Sequence, residues 1–571
     1  MQRTESGTVS KVYEIADSYV ESIAALDPIA ATGIGVTGHD HRLTDYSPEG
    51  AEARADLARS TLTALAAAPI DDDRDRIASS VMQERLRTSL DLYEDGERLR
   101  DLRVIGSPMQ SIRQCFDLMP RDTETDWETI AARMEAVPLA LAGLRAALGD
   151  GLDRGLTAAR RQALAAADQA ATWGGTASTA TGAATPFFLG LAEEHGASAA
   201  VPSSLARRLA GAAAKATGAY ADTARWLRDE YAPRTTSRDP AGAERYALNA
   251  RAFCGVELDL AETYSWGWDE LRRIEHAMIE VGERILPGRP LAAVMEHLET
   301  DTHRSIEGAE EFRRWLQDLL DSTVADLDGR HFDIAEPVKR VEACIAPPGG
   351  AAAMYYTGPS EDFSRPGRTW YPTLGKTRFP LWREVSICYH EGVPGHHLQV
   401  AQVHHLAETL SRYQRLLGWV SGHGEGWALY AERLMGELGY LDDPAFELGM
   451  LTAQAMRAVR VVVDIGMHLE LTIPHDEPYH PGERWTPELA LPFVIERSRF
   501  PADFMASEVD RYLGWPGQAI SYKVGERVWL RARDDARRRH GSGFALKAFH
   551  AYALDLGSMG LEPFEAEMAR F

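Results

Sequence analysis

Residues 389–399 read YHEGVPGHHLQ and contain three histidines and one glutamate. His390 is followed directly by Glu391, and His396 and His397 come after a Val-Pro-Gly step. Neutral imidazoles bind zinc at about 2.0–2.1 Å, and a hydrolytic zinc site also needs a carboxylate that takes a proton from water. The segment therefore predicts a zinc site, with a chance cluster of histidines on a helix surface as the alternative.

The spacing of these histidines excludes an unbroken metal-binding helix. In the common HExxH arrangement the two ligands lie four residues apart on one helical face. A residue at i+6 lies roughly 240° around the axis and about 9 Å along it, and a residue at i+7 lies about 10 Å along it. Pro394 and Gly395 stand between the histidines and can kink or bulge a helix. We interpret residues 393–395 as an insertion within a metal-binding helix.

A third ligand is predicted in residues 422–432, which read GHGEGWALYAE. Glu425 stands between two glycines, so its carboxylate can approach a metal held by another helix without steric obstruction. A glutamate in the first turn of a helix could instead serve only to interact with the helix dipole. Glu432 lies on nearly the same face and could accept a hydrogen bond from a ligand imidazole, or pair with Arg433.

The composition limits the class of protein. The chain has 571 residues and a formal net charge of −24, which argues against a nucleic-acid partner and against membrane binding through basic patches. Four isolated cysteines indicate neither a disulfide framework nor a thiolate zinc site, so we expect a reducing cytoplasm. Neither a secretory signal nor a membrane span is predicted.

The hydrophobic periodicity predicts a mainly α-helical protein with a small β-sheet. We expect an N-terminal helical region over 1–330 and a catalytic region over 331–571, although the two could form one intimate unit. Short strands are predicted at 338–345 and 369–372 in a segment rich in proline and glycine. Helices are predicted at 8–24, 51–67, 76–100, 127–148, 156–173, 203–230, 258–285 and 305–327.

Several motifs together make the chain similar to the bacterial domain-of-unknown-function 885 family. They are LDP at 26–28, TDYSPE at 44–49, EDFSRPG at 361–367, PGHHLQ at 394–399, the 425–432 segment and PGQAISYKVG at 516–525. The resemblance implies a large multi-helix, zincin-like fold with a central cleft, similar to thimet-oligopeptidase-like and carboxypeptidase-like zinc peptidases.

The same resemblance implies a role for each motif residue. His390 would be the first ligand of one zinc ion, Glu391 the general base, His396 the second ligand and Glu425 the third. His397 is the alternative second ligand.

The expected activity is zinc-dependent hydrolysis of amide bonds in short peptides, of the carboxypeptidase, dipeptidase or oligopeptidase kind. Glu391 would accept the proton of the zinc-bound water and later protonate the leaving amine. Tyr522, or failing that Tyr512, would donate to the developing oxyanion, although either tyrosine could be purely structural.

Substrate recognition is less constrained by the sequence. Arginines could bind a peptide carboxylate, but they more often form surface ion pairs. The substrate-binding candidates are Arg365, Arg497, Gln518, Lys523 and His423. A monomer or homodimer is expected, acting on a short peptide without nucleic acid or membrane.

Two other classes of function compete with this one. A metal-binding or interaction protein could retain the zincin-like fold without activity, because fold and function are separable. A thiol enzyme could use Cys388 beside His390, but alternate residues of a helix point to different faces.

Overall fold

The computed structural model describes residues 10–177, 185–196, 202–346 and 353–571, and most of them are helical. The first α-helices are α1 Lys11–Leu26, α2 Pro28–Gly33, α3 Pro48–Ala67, α4 Asp73–Glu94, α5 Pro108–Gln114, α6 Glu124–Arg154, α7 Arg160–Trp173, α8 Phe187–Gly196, α9 Ser203–Trp226, α10 Ala243–Cys254, α11 Leu260–Ile285, α12 Leu291–Thr300 and α13 Ala309–Leu327. They are followed by α14 Glu384–Glu391, α15 His396–His405, α16 Arg412–Leu416, α17 Ser421–Glu437, α18 Pro444–Leu469, α19 Pro487–Ser498, α20 Ala502–Gly514, α21 Ser521–His540, α22 Leu546–Asp555 and α23 Leu561–Met568. The mainly α-helical class is confirmed.

Five short strands form two small sheets in the described ranges. They are β1 Ser305–Glu307, β2 Val341–Ile345, β3 Tyr355–Thr357, β4 Gly367–Tyr371 and β5 Arg378–Pro380. One sheet pairs β1 with β5 in antiparallel orientation, and the other has the order β2-β4-β3. In the second sheet β2 and β4 are parallel, with Ala343 opposite Thr369, and β3 runs antiparallel to β4. Both predicted strands are present, at slightly different bounds.

The predicted helices correspond to α1, α3, α4, α6, α7, α9, α11 and α13. Several boundaries differ by a few residues, and one prediction has the wrong type of element: residues 305–307 do not begin α13 but form β1, which pairs with β5. This pairing joins segments more than seventy positions apart, and helical periodicity reports only on local neighbours.

The largest hydrophobic core takes residues from both sides of position 330. Val12, Trp268, Trp427 and Trp529 all belong to it. A second core lies within the N-terminal half, where α6 and α7 pack on α9. Among the helices of the described ranges, none is long and apolar enough to cross a bilayer.

Helix α18 runs through the largest core. It begins with Pro444 after the N-cap Asp443, whose carboxylate accepts from the backbone N–H of Ala445. Of its 26 residues, 20 are buried, so the helix is apolar around most of its circumference. Gly267 of α11 faces Val461, where a side chain would overlap the valine. This close approach packs α11 against α18.

Glycines allow α17 and α21 to cross with backbone contact. A Cβ on Gly426 would overlap the backbone of Gly525, and a Cβ on Gly525 would overlap the carbonyl of Gly422. Since Glu425 precedes Gly426 and Tyr522 lies one turn before Gly525, the crossing brings both side chains to one cavity.

Candidate metal centre

The helix that carries His390 ends one residue later, and a new helix begins at His396. Helix α14 stops at Glu391, and the turn 392–395 contains a cis Val393–Pro394 peptide bond before α15 starts. Gly395 lies so close to the carbonyls of Tyr389 and His390 that any Cβ would overlap them. The interruption predicted at residues 393–395 is therefore present.

Trp427 of α17 holds this turn in place. Its buried indole N–H lies 2.9 Å from the carbonyl oxygen of Pro394 and 3.1 Å from that of Gly395. The backbone N–H of His397 donates to the carbonyl of Gly392 at 3.1 Å. The turn is thus tied both to α17, which carries Glu425, and to the start of α15.

His390, His396 and Glu425 converge on one point. Glu425 Oε2 lies 3.5 Å from His390 Nε2 and 3.4 Å from His396 Nε2. Candidate ligand atoms of the three residues all lie within 4.8 Å of one another. Both imidazoles are buried, and the Glu425 side chain is 18% exposed.

Two of the separations are compatible with ligands of one divalent cation. Ligands at about 2.0–2.1 Å from a tetrahedral zinc lie roughly 3.3 Å apart, which is close to the 3.4 and 3.5 Å from Glu425 to the two imidazoles. Glu425 Oε2 is buried and has no hydrogen-bond partner among the described residues. A buried carboxylate oxygen without a partner is costly, and a metal ion would remove that cost.

Glu432 fixes the orientation of the His390 ring, as predicted. His390 Nδ1 donates to Glu432 Oε1 at 2.8 Å, so the neutral ring turns an unprotonated Nε2 toward Glu425. Ser386 donates to the other oxygen of Glu432, and Arg457 lies 3.8 Å from Oε1. Glu425 itself lies in the second turn of α17 and does not cap that helix.

The carboxylates and imidazoles of the cluster shift each other's pKa values. Burial disfavours the charged imidazole, but the carboxylates of Glu425 and Glu432 raise the pKa of His390 to about 9. Burial opposes ionisation of Glu425 as well, yet the neighbouring imidazoles hold its pKa below the ordinary value. In the absence of metal the site therefore favours bound protons, and a cation that binds would displace them.

His397 lies on the other side of α15 from this cluster. Its Nε2 donates to the carbonyl of Val338 at 2.7 Å, and its Nδ1 accepts from the Tyr356 hydroxyl at 3.0 Å. Burial lowers the pKa of this imidazole to about 4. Both ring nitrogens are occupied, and His396 is the histidine that the structure places beside His390.

Glu391 is the last residue of α14. It lines the same cavity as the three candidate ligands. No hydrogen bond joins its carboxylate to a described residue. The structure therefore brings the predicted base and the predicted ligands to one cavity.

A cavity of about 1150 Å³ opens over this cluster. Tyr522 lines it together with the apolar side chains of Met354, Leu374, Phe500 and Phe504. Burial, with the nearby charge of Glu425, raises the pKa of Tyr522, so its hydroxyl remains a donor. The structure thus brings the first of the two predicted oxyanion donors to the cavity.

The second predicted donor, Tyr512, lies elsewhere. Its fully buried hydroxyl donates to Glu508 at 2.8 Å and accepts from Arg460 at 3.1 Å. It does not line the cavity. The position of Tyr512 does not support the predicted role as oxyanion donor, because its hydroxyl is held in an internal hydrogen-bond network.

The five predicted substrate-binding residues also lie away from the cavity. Buried Lys523 donates to Glu270 at 2.8 Å and to Gln454 at 2.7 Å. Arg497 is paired with Glu275 and Glu477.

The other three have equally local environments. Gln518 accepts from Arg511, and His423 packs between Trp529 and Phe564. Arg365 is exposed next to the turn that begins at Ser360. The predicted substrate-binding residues have side chains that could bind a peptide, but the structure places them away from the cavity.

Most of the cavity lining was missed by the sequence analysis, including two arginines and a tryptophan near the candidate ligands. Arg457 and Arg460 line the cavity from α18, and Trp419 lies with its ring 5.9 Å from that of His396. The sequence could have indicated the two arginines, because charged residues are rare within a segment as apolar as α18. Trp419 lies in an irregular segment, where no sequence pattern points to it.

Cys388 does not have the environment of a nucleophile. Its side chain is fully buried, and this burial raises the pKa of the thiol to about 12. A reactive cysteine needs a lowered pKa and some exposure.

Similar folds occur in two solved structures of bacterial proteins. The chain superposes on a "putative lipoprotein" from Colwellia psychrerythraea with a TM-score of 0.82 at 22% identity, over 99% of both chains. A "putative lipoprotein of unknown function" from Shewanella oneidensis gives a TM-score of 0.75 at 16% identity, over 98% of this chain and 100% of that one. These similarities establish the fold only, and no curated protein matches the sequence. Residues 28–568 match the model of a family of bacterial proteins of unknown function, DUF885, and the chain belongs to that family.

Proposed function

We propose that the protein is a metal-dependent hydrolase that cleaves amide bonds of short peptides. One observation carries this proposal: Glu425 lies 3.4–3.5 Å from both His390 and His396, in a cavity that Glu391 also lines. Two imidazoles and a carboxylate are the ligand set of hydrolytic zinc sites that keep one coordination position open. The combination of ligands, free carboxylate and cavity favours hydrolysis over metal storage.

Zinc is the proposed metal because a set of two nitrogens and one oxygen suits it. Bound there, it would polarise the amide carbonyl as a Lewis acid and lower the pKa of water toward about 7.

The protein's own groups would perform the proton transfers. Glu391 takes a proton from the attacking water and delivers it to the nitrogen of the leaving amine. The Tyr522 hydroxyl donates a hydrogen bond to the carbonyl oxygen as negative charge develops there. Glu432 holds the His390 ring through the 2.8 Å hydrogen bond to Nδ1, which leaves Nε2 as the nitrogen that would face a bound metal.

The cavity supports a short and partly apolar substrate. Its volume of about 1150 Å³ lies just above the range of about 300–1,000 Å³ that is usual for small-molecule sites. Such a space holds a few residues of an extended peptide but no folded protein. The predicted cytoplasmic location and the monomeric or dimeric state stay predictions.

A Glu391→Gln substitution tests the proposal. The amide keeps the shape of the side chain but cannot act as the base, so we expect peptide hydrolysis to fall by about 10²–10⁴-fold. The metal content should stay unchanged, because Glu391 is not a proposed ligand. The measurement compares digestion of a library of short peptides with the zinc content of the same samples.

Glu408→Gln, in the exposed segment after α15, is the matched control and should leave both values unchanged. Equal activity of Glu391→Gln and the unsubstituted protein would refute the assigned base. A zinc-loaded protein that cuts no peptide of the library would refute the hydrolase.

A further inference from the structure

One face of α18 forms a cationic wall of the cavity. Ala453, Met456, Arg457 and Arg460 recur at helical spacing and all line the cavity. The two arginines lie in a helix whose other buried residues are mostly apolar. A buried positive charge needs an acceptor or a counter-ion, and the two guanidinium groups differ in this respect.

Arg460 is fully engaged within the protein. It donates to Glu508 at 2.8 Å through Nη2 and to the Tyr512 hydroxyl at 3.1 Å through Nε. Arg511 donates to the same Glu508 from α20, at 2.8 Å. Two guanidinium groups therefore share one carboxylate, which leaves this side of the cavity with an excess of positive charge.

Arg457 is not engaged in this way. Its guanidinium donates no hydrogen bond to any residue in the described ranges, and its buried Nε has no acceptor. The nearest carboxylate oxygen, Glu432 Oε1, lies 3.8 Å away and already accepts from His390 Nδ1 at 2.8 Å. Its side chain is 11% exposed and lines the cavity, where the guanidinium carbon lies 6.0 Å from the centre of the Tyr522 ring. Arg457 therefore presents donors to the cavity that no described residue accepts.

We propose that Arg457 binds the free terminal carboxylate of the peptide substrate, an assignment that rests on the proposed peptidase function. A guanidinium matches a carboxylate with two parallel N–H donors, which a terminal amide cannot accept equally well. Glu391 and Glu425 also line the cavity and repel a carboxylate, so the carboxylate is directed to the cationic wall.

The position of Arg457 also limits where the chain is cut. Arg457 Nη2 and His390 Nδ1 lie 3.8 Å and 2.8 Å from the same oxygen, Glu432 Oε1, so Arg457 is close to the candidate ligand. One extended residue spans roughly 3.3–3.6 Å, so a peptide whose free carboxylate reaches Arg457 has its scissile bond close to that terminus. Phe500, Phe504 and Met456 line the same cavity and would accept an apolar C-terminal side chain. The substrate class is then a short peptide with a free, apolar C-terminus.

The test measures binding without turnover. Zinc-loaded Glu391→Gln protein is titrated calorimetrically with N-acetyl-L-phenylalanine and, separately, with the corresponding C-terminal amide. We expect the acid to bind at least about tenfold more tightly than the amide. Adding Arg457→Gln should reduce this ratio to about one, whereas Arg457→Lys, which keeps the charge, should retain part of it.

Arg383→Gln is the matched control. Arg383 also lines the cavity, but its guanidinium stacks 4.3 Å from the ring of Trp382 and donates to the carbonyl of Arg499 at 3.3 Å. The same loss of charge there should leave the preference for the acid unchanged.

Four binding results would overturn the inference. Three of them are equal binding of acid and amide, binding of neither probe, and a preference for the acid that survives Arg457→Gln. If Arg457→Gln releases zinc and weakens both probes equally, Arg457 is only a counter-ion of Glu432, and the inference also fails.

These outcomes are separate from those of the hydrolase test. A preference for the acid that depends on Arg457 in a protein without peptidase activity would support the carboxylate site and refute the proposed function. Hydrolysis that is equally fast for free and amidated peptides would support the proposed peptidase function and refute the carboxylate site at Arg457.

Discussion

Two adjacent histidines in this chain have opposite environments. His396 turns toward His390 and Glu425, whereas both ring nitrogens of His397 hydrogen-bond within the core. The residue types could be predicted from the sequence, but their orientation could not, because it depends on where α15 begins after the turn at Gly395. A shift of one residue would exchange the two histidines.

Alanine at each histidine tests this assignment. His396→Ala should lower zinc affinity by at least about 100-fold, because losing even an outer partner of a ligand costs about 10–100-fold. His397→Ala should keep the metal but lower the free energy of unfolding by about 1–3 kcal/mol, since Val338 and Tyr356 lose a buried partner. Metal analysis and urea unfolding of both variants provide the measurement. Equal loss of zinc in the two variants would contradict the assignment.

At the scale of elements, glycines position the site. The sequence indicates helices over most of the chain, but the backbone contact between α17 and α21 depends on Gly426 and Gly525 meeting across about one hundred positions. Such pairing is invisible to local periodicity, as is the pairing of β1 with β5. The helical segments could therefore be predicted from the sequence, but the pairs of helices that pack against each other could not.

Gly395→Ala tests the turn between α14 and α15. The new methyl group would overlap the carbonyls of Tyr389 and His390, which are backbone atoms and cannot rotate away. We expect the free energy of unfolding to fall by about 1–3 kcal/mol and zinc affinity to fall with it.

The control is Gly149→Ala in α6, where a Cβ would meet no atom within 4 Å. That variant should be unchanged or more stable, by up to about 1 kcal/mol, because alanine favours the helix. Equal unfolding free energies for the two variants would show that the turn tolerates a side chain.

At the scale of the whole molecule, buried neutral histidines make stability depend on pH. His550 is stacked on Phe332, and its Nε2 lies 2.8 Å from the Tyr430 hydroxyl. Burial, assisted by the charge of Arg533, lowers the pKa of His550 from 6.5 to about 3. As the pH falls, His550 therefore binds a proton in the unfolded chain before it does so in the folded protein. Its contribution to the free energy of unfolding is complete above pH 6.5 and is lost as the pH falls toward 3.

His550→Gln removes this titration. The variant should be less stable at pH 7, and the difference from the unsubstituted protein should narrow by about 1.4 kcal/mol per pH unit below 6.5. Unfolding free energies at pH 7, 6 and 5 check the slope. A difference that stays constant over this range would show that His550 has the same pKa in the folded and the unfolded protein.

Binding of one divalent cation by His390, His396 and Glu425 is central to the proposed function. Elemental analysis after equilibration with zinc and gel filtration tests this binding most directly. We predict about one zinc per chain, removed by a strong chelator and absent from a Glu425→Ala variant that retains its helical content. A folded protein that retains no zinc, or a Glu425→Ala variant that retains as much as the unsubstituted chain, would contradict the central claim.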